Sequence, residues 1–282
     1  MPKIEHFRFD TTYYPVAVVS CSAFLSLYKY VSPAISSRLC PGYTLLPPAK
    51  QIDWNTRVQS SVHAMIVSFM CAYSFVYDTE IADDPIWCDA PLVRTSCAIV
   101  VGYMASDLII MTIHYKKVGE IFYLFHHGAS VYAYYYVMTY GVLPYFANYR
   151  LLAEFSTPFV NQRWFLDALS YSKFDPVFMV NGIAMTATFF MVRIVSMPRY
   201  WHKVYSVYGT EPFLRLGHIR FVLVITCLVL DLINLFWFYK MCKGVRKVLY
   251  ERMDKNRNIA AKIHTRGKYS ERITSKRTHL DH

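Results

Sequence analysis

The sequence predicts an all-α multi-pass membrane protein, and two observations carry this prediction. Hydrophobic residues make up 55% of the 282 residues and charged residues only 17%, compared with about 25% charged residues in an average soluble domain. The apolar residues also gather into runs long enough for a helix to cross a bilayer, which takes roughly 20 residues. A chain of this length holds about six or seven such runs with short connections. We therefore expect one membrane domain without a separate soluble catalytic domain.

Seven apolar segments are expected to form the spans. They cover residues 13–31, 57–77, 92–113, 120–141, 145–166, 177–197 and 221–241. The fifth segment is less hydrophobic than the others and contains Pro158, so it is either a full span or a re-entrant segment. Several prolines between residues 32 and 53 exclude one continuous helix from the first segment to the second.

Charges in the loops predict the orientation of these segments. Thirteen Lys or Arg residues lie between Lys240 and the C-terminus against four acids, whereas residues 78–91 contain five acids and no base. Because basic loops prefer the cytosolic side, we expect the N-terminus in the lumen and the C-terminus in the cytosol. In this orientation Arg199, Lys203 and Arg215 would lie in the lumen, although basic residues prefer cytosolic loops. The net charge of +11 comes without a stacking motif or recognition helix, so no nucleic-acid partner is expected.

The seven cysteines predict neither a metal site nor a disulfide. No zinc-type spacing is present among them. Cys40 and Cys88 fall in loops that are expected on opposite sides of the membrane, so they should not pair. We expect no metal and no bound cofactor.

Titratable residues interrupt the apolar segments at a common depth. Those nearest the predicted cytosolic boundary, at roughly 10 Å by helical rise, are His63, Asp107, His126 and His127. Glu154 and Asp231 lie deeper, at roughly 15–18 Å. Such groups are costly in lipid and mark functional sites by default. Their shared depth predicts an internal cavity that opens toward the cytosol.

Helical spacing predicts which of these side chains share a face. Tyr103 and Asp107 are four residues apart, as are His126 and Ser130, so each pair lies on one stripe of its helix. His126 and His127 differ by about 100° around their helix. We therefore expect one histidine to face the cavity and the other to contact a neighbouring helix.

Polar residues that share a helix are expected to form ion pairs or hydrogen bonds with each other. Arg150 and Glu154 are spaced for an i, i+4 ion pair, and Asp231 is expected to hydrogen-bond with Asn234. Arg193 lies near one end of its segment and is expected to extend to the interface. Each polar residue also has a purely structural interpretation as an interhelical hydrogen-bonding group, and both interpretations stay open.

Several blocks of the sequence resemble one known family. They are Ser-Asp-Leu at 106–108, the pair His126-His127, and residues 150–164 and 205–212. At these blocks the chain resembles the TLC-domain family of membrane proteins, and most closely one of its non-synthase subgroups. The resemblance implies a barrel of six transmembrane helices around a lipid-sized cavity, with one extra N-terminal helix (residues 13–31) outside it.

Ceramide synthases are the enzymatic members of this family, and the resemblance to them is more distant. They join an acyl chain from acyl-CoA to a sphingoid amine and carry adjacent histidines in the equivalent helix, which His126 and His127 match. The remainder of their signature, a His-Asp followed by a second Asp, is absent here. Residues 150–158 occupy that region instead, which argues against synthase activity.

From these observations we expect a protein of membrane-lipid homeostasis in the endoplasmic reticulum that binds or senses a membrane lipid. The alternative is an acyltransferase with acyl-CoA as cosubstrate, in which His126 or His127 acts as base or nucleophile beside Asp107. The remaining candidate cavity residues are His63, Tyr103, Ser130, Arg150, Glu154, Asp231 and Asn234. Membrane lipids are the expected partners, and a homodimer stays open.

The expected organisation has three parts. Residues 1–52 form the N-terminal transmembrane helix and a cytosolic loop, and residues 53–243 form the TLC membrane domain. Residues 244–282 form a basic cytosolic tail that its composition predicts to be disordered.

Overall fold

The computed structural model describes residues 8–118 and 121–278, and within these ranges the chain is helical and contains no strand. The first half comprises α1 (Tyr14–Ser26), a π-helical turn (Leu27–Val31), α2 (Ser32–Leu39), α3 (Pro41–Thr44), α4 (Pro48–Tyr77), α5 (Glu80–Asp83), α6 (Pro91–Ile113), α7 (Tyr115–Val118) and α8 (Ile121–Tyr140). The second half comprises α9 (Pro144–Leu151), a 3₁₀ turn (Leu152–Ser156), α10 (Thr157–Ala168), α11 (Pro176–Phe189), a π-helical turn (Phe190–Val195), α12 (Ser196–Val207), α13 (Glu211–Leu214) and α14 (Ile219–Thr278).

The helices run back and forth between two ends of one bundle. At the first, called the Asp10 end, the Asp10 amide donates to the carbonyl of Thr139 over 3.0 Å, and Trp87 Nε1 donates to the carbonyl of Pro212 over 3.0 Å. At the other, called the Cys40 end, the end of α10 packs against α3 in one apolar cluster. The described chain therefore traverses the bundle seven times, and its first and last traverses run in the same direction.

Five of the helical runs in the described ranges are long and apolar enough to cross a membrane. They are Tyr14–Leu39, Pro48–Tyr77, Pro91–Ile113, Pro176–Val207 and Ile219–Asp254. The class predicted from composition, a multi-pass helical membrane protein, is therefore confirmed. The other two traverses, α8 and α9–α10, lie beside these runs, and their status as full spans stays a prediction.

The fifth segment traverses the bundle from end to end. It begins near the Asp10 end, where the amide of Leu143 donates to the carbonyl of Ile86 over 2.7 Å. It ends at Ala168, in the cluster at the Cys40 end. A 3₁₀ turn in the middle joins α9 to α10, so the segment changes its helical twist halfway rather than turning back.

Two predicted boundaries were wrong at the first connection. The first helix continues beyond residue 31 to Leu39, although Pro33 lies within it. The π-helical turn before Pro33 explains this, because it loosens the backbone where the proline lacks an N–H and would otherwise clash. The second helix begins at Pro48 rather than at residue 57, since a proline is tolerated in the first turn of a helix.

The prediction of disorder for residues 244–282 concerns a tail whose described part continues helix α14. The backbone of α14 stays helical from Ile219 to Thr278, over 60 residues, so the last traverse and the basic tail form one helix. The part of the prediction that concerns residues 279–282 lies outside the described residues.

Helix α1 packs on the outside of α6 through a close backbone approach. A Cβ atom added to Gly102 would lie 2.4 Å from the carbonyl oxygen of Ala17. Ser20 Oγ donates to the carbonyl of Ile99 over 3.0 Å beside this contact. The glycine thus lets the two backbones meet, and α1 is held outside the six traverses that follow it.

Candidate functional site

A cavity of about 450 Å³ lies within the bundle. Its walls come from α4, α6, α8, α9, the 3₁₀ turn, the second π-helical turn and α14, whereas no described residue of α1 contributes. Residues of all six traverses that follow α1 therefore line the cavity. This arrangement agrees with the barrel and outer helix that the family resemblance implied.

The cavity lining is mostly apolar toward the Asp10 end, whereas polar side chains are interspersed with apolar ones such as Phe125 and Ile233 toward the other end. Its apolar part lies toward the Asp10 end, where it is lined by Val137, Leu143, Phe146, Ile219 and Val222. The polar lining residues that lie nearer the middle and the Cys40 end are His63, His126, Ser130, Arg150, Glu154, Arg193 and Asn234. An amphiphile has the same division between an apolar chain and a polar head.

The two adjacent histidines point in different directions, as their helical spacing predicted. His126 lines the cavity, and Ser130, one turn further along α8, donates its hydroxyl to the carbonyl of His126 over 2.9 Å. His127 instead faces α6, where its Nδ1 lies 2.9 Å from Oδ2 of Asp107. The two atoms are within ion-pair distance, but His127 Nδ1 makes no hydrogen bond of acceptable geometry within the described chain. The two imidazole rings stay 5.6 Å apart.

His63 is the most deeply buried titratable residue that lines the cavity. Its side chain is 1% exposed, and its ring stacks on Tyr103 with the centroids 4.0 Å apart. Phe24 of the outer helix packs edge-on against both rings. Neither ring nitrogen of His63 has a hydrogen-bond partner within residues 8–118 and 121–278. Tyr103 lies behind His63 and supports it rather than lining the cavity.

Arg150 pairs with Asp231 and not with Glu154, so the predicted i, i+4 ion pair was wrong. The guanidinium binds the carboxylate through two contacts of 2.6 and 3.2 Å. Trp201 Nε1 donates to the same carboxylate over 2.7 Å, and the guanidinium lies 3.9 Å from the centroid of the Tyr200 ring. The i, i+4 geometry needs continuous α-helix, whereas the chain enters a 3₁₀ turn after Leu151, which rotates each residue by about 120° rather than 100°.

Arg193 extends into the bundle interior rather than to the interface, so this expectation was also wrong. It donates to Ser156 Oγ over 2.9 Å, to Asn234 Oδ1 over 3.2 Å and to the carbonyl of Ala153 over 3.0 Å. Asn234 is thereby used by Arg193 and not by Asp231, against the predicted hydrogen bond between those two. The π-helical turn that contains Arg193 presents it to the cavity, a common location for such turns.

The two carboxylate oxygens of Glu154 differ in their hydrogen bonding. Its Oε2 accepts a hydrogen bond from Thr157 Oγ1 over 2.9 Å. Its Oε1 accepts none from the part of the chain that the structure describes, and the residue lines the cavity.

Six of these polar lining residues were candidates from the sequence, whereas the roles of Arg193 and Trp201 were missed. The six are His63, His126, Ser130, Arg150, Glu154 and Asn234. Arg193 could have been found from its position in an apolar segment, since intramembrane arginines usually face the bundle interior. Trp201 carries no such signal, because an interfacial tryptophan has the same sequence context. No group of three or more His, Cys, Asp or Glu residues suited to a metal ion is present among the described residues.

The fold and the cavity together define an integral membrane protein whose helices surround a space that is mostly apolar at one side and carries polar side chains at the other. The TLC-domain family matches residues 53–243, and the chain belongs to this family.

Named relatives extend the match over nearly the whole chain. TLC domain-containing protein 4-B of Danio rerio is 45% identical over 235 residues, which cover 83% of this chain and 89% of the relative. The human TLC domain-containing protein 4 is 45% identical over 245 residues, covering 86% and 93%. An uncharacterized TLC domain-containing protein of Schizosaccharomyces pombe is 30% identical over 256 residues, covering 85% and 82%. No solved structure matches the chain.

Proposed function

We propose that this protein binds one membrane lipid in its internal cavity and serves membrane-lipid homeostasis in the endoplasmic reticulum by holding or sensing that lipid. The observation that carries the proposal is the division of the cavity into an apolar part toward the Asp10 end and a polar cluster beyond it. The acyl chain lies in the apolar part, where each buried methylene contributes about 0.8 kcal/mol. The head lies among His63, His126 and Glu154, and it faces the cytosol if the Cys40 end is cytosolic.

The size of the cavity supports this occupant. A volume of about 450 Å³ falls within the range of roughly 300–1,000 Å³ that is common for small-molecule sites. The walls are mostly aliphatic and aromatic, and the few polar groups converge on one region, which is the usual composition of a specific binding site.

Mass spectrometry of lipids that copurify with the protein tests this function. Ala133 lines the cavity, and Ala133→Trp should lower lipid occupancy severalfold because the indole fills the space of the acyl chain. Ala23 lies exposed on α1, outside the barrel, so Ala23→Trp is the matched control and should leave occupancy unchanged. Equal lipid occupancy in the two variants would contradict the proposal.

Acyl-CoA-dependent acyl transfer is the second candidate function. The observation in its favour is the contact of 2.9 Å between His127 and Asp107, a carboxylate–imidazole pair of the kind that orients a catalytic base, next to a histidine that lines the cavity. To test it, the purified protein is incubated with acyl-CoA and candidate lipid acceptors. If the protein only binds lipid, no acylated product should form. A product that disappears in His126→Ala or His127→Ala would establish the enzyme instead, since an acid–base histidine contributes at least about 10²-fold to the rate.

A further inference from the structure

We infer that lipid enters the cavity sideways from the bilayer, through a slot between α8 and α14. This inference rests on the proposed lipid-binding function and specifies the route by which the lipid arrives. Three features lead to it: the exposure of the cavity lining, the separation of the two helices, and the chemistry of the side chains between them. Two residues of each helix border the slot, and they are Phe125, Ala129, Ile225 and Val229.

The first feature is the place where the cavity lining reaches the outer surface of the bundle. Among the described residues that line the cavity, the four that border the slot are exposed, whereas all the others are buried or half-buried. Phe125 is 73% exposed, Ile225 60% and Val229 49%. A residue that borders the cavity and the exterior at once lies at an opening. The cavity therefore opens between α8 and α14.

The second feature is the separation of these two helices. The backbone of α8 lies close to that of α6 along much of its length, whereas the described backbones of α8 and α14 hardly approach one another. Phe125 and Ala129 are four residues apart, so they form one stripe along α8. Ile225 and Val229 form the corresponding stripe along α14. Two stripes without close helix packing between them leave a gap that extends along both helices.

Contacts of His218 join the two helices toward the Asp10 end. His218 immediately precedes α14, and its Nε2 lies 3.1 Å from the hydroxyl oxygens of both Tyr132 and Tyr136 on α8. Phe125 lies seven residues before Tyr132. Ile225 lies seven residues after His218, and α14 runs in the opposite direction to α8. Both are therefore displaced from the contact by roughly 10 Å of helical rise toward the Cys40 end, so the two stripes lie at a similar depth.

The third feature is the composition of the slot. Its four bordering side chains are apolar, and α14 belongs to a run that is long and apolar enough to cross a membrane. The slot therefore adjoins the acyl chains of the bilayer, and an acyl chain passes from one apolar environment to another without exposure to water. Ala129 and Ala133, one helical turn apart, leave room on this side of α8. His126 follows Phe125 and lines the cavity, so the slot leads to the polar residues.

Lipid exchange in liposomes tests this route. The full-length protein is purified with its bound lipid and reconstituted into liposomes made from a deuterated total lipid extract of the expression host. Mass spectrometry then follows the deuterated fraction of the bound lipid over time. Ala129→Trp should slow the exchange severalfold, because the indole occupies the slot.

The matched control is Ala187→Trp, at an exposed residue of α11 that does not line the cavity. This variant should exchange lipid at the rate of the unaltered protein. Equal exchange rates in the two tryptophan variants would overturn the inference but leave lipid binding intact. Absence of bound lipid in the unaltered protein would instead remove the proposed function.

Reversible closure of the slot provides a test that does not depend on how Ala129→Trp folds. Ala129→Cys and Ile225→Cys are combined, with the exposed Cys242 changed to Ser, and the two new thiols are joined by a bismaleimide that contains a disulfide. Lipid exchange should nearly stop after cross-linking and should return when dithiothreitol cleaves the linker. The two single-cysteine variants, treated with the same reagent, are the matched controls and should continue to exchange. Exchange at the original rate in the cross-linked protein, or failure of the cross-link to form, would contradict the inference.

Discussion

At the scale of single residues, the polar groups of the cluster find their partners on other helices. Arg150 on α9 reaches Asp231 on α14, Arg193 reaches Ser156 and Asn234, and His127 reaches Asp107. Inside a dehydrated bundle each of these contacts replaces water that the residue had in the unfolded chain. The contacts therefore hold the helices in place as much as they shape the cavity.

The pair of Arg150 and Asp231 should be strongly coupled. Removal of one partner leaves a buried charge alone, so Arg150→Met or Asp231→Leu should each destabilise the protein by about 3–5 kcal/mol. The double variant leaves no charge unpaired and should be clearly more stable than either single variant. Thermal unfolding in detergent measures the difference, and a double variant that loses the sum of the single losses would show that the two residues act independently.

The two histidines should differ in what their loss changes. His127→Ala leaves the buried Asp107 without its partner and should destabilise the protein by about 1–3 kcal/mol. His127→Asn supplies an amide donor to the same carboxylate and should recover much of that loss. His126→Ala should instead reduce bound lipid modestly with a smaller effect on stability. Equal effects of the two alanine variants on both measurements would contradict the division of roles between them.

At the scale of helices, the departures from regular α-helix decide what the side chains can reach. The 3₁₀ turn after Leu151 separates Arg150 from Glu154, and the π-helical turn around Arg193 presents that residue to the cavity. The π-helical turn before Pro33 allows the first helix to continue to Leu39. Each departure changes the number of residues per helical turn by less than one. Each nevertheless changes which neighbouring side chain a residue contacts.

Helix α1 should depend on Gly102 for its position. Gly102→Val would place a side chain where a Cβ already lies 2.4 Å from the carbonyl of Ala17, and such overpacking costs typically about 1–3 kcal/mol. Because Phe24 of α1 packs against His63 and Tyr103, lipid occupancy should fall as well. Gly182→Val is the matched control, since nothing lies within 4 Å of a Cβ at that position. Thermal unfolding and lipid analysis of both variants check this, and equal stability would exclude a close α1–α6 contact.

At the scale of the whole molecule, the geometry places the two loops used to predict orientation at opposite ends. The acidic loop around Asp84 lies at the Asp10 end, and the connection around Cys40 lies at the other. Which end faces the cytosol follows from loop charge alone and is a proposal about topology.

Protection of inserted tags tests that topology. In cells whose plasma membrane alone is permeabilised, a tag after Asp84 should be inaccessible and a C-terminal tag accessible to antibody. Equal accessibility of the two tags would contradict the proposed orientation. Labelling of Cys40 by a thiol reagent added from the cytosol should agree with the C-terminal tag.

Cys88 is a less direct reporter of the same topology because its chemistry slows labelling. Burial, with the nearby carboxylates of Glu80, Asp84, Asp89 and Asp78, raises the pKa of the Cys88 thiol, so less of the reactive thiolate is present at neutral pH. After the internal membrane is opened, its labelling rate should therefore increase as the pH rises above neutral. A rate that is already maximal at neutral pH would show that the thiol does not lie in this environment.

The sequence by itself determined the class of the protein and the different faces of the paired histidines, whereas it left open whether the fifth segment crosses the bundle. These features follow from local chemistry: apolar runs of span length, and an angle of about 100° between neighbouring helical residues. Both are set by residues close together in the chain. The same locality explains why helix boundaries near prolines were misplaced by several residues, since neighbouring π-helical turns have no simple sequence signal.

Only the tertiary structure decided how the charges of the cluster are paired. Asp231 was available to several polar groups, and it bound Arg150 and Trp201 because α9, α12 and α14 meet at that point. Arg193 turned inward because Ser156, Asn234 and the carbonyl of Ala153 were together within reach. Partners on different helices depend on how those helices pack, and residues separated by up to 81 positions carry no spacing that predicts their contact.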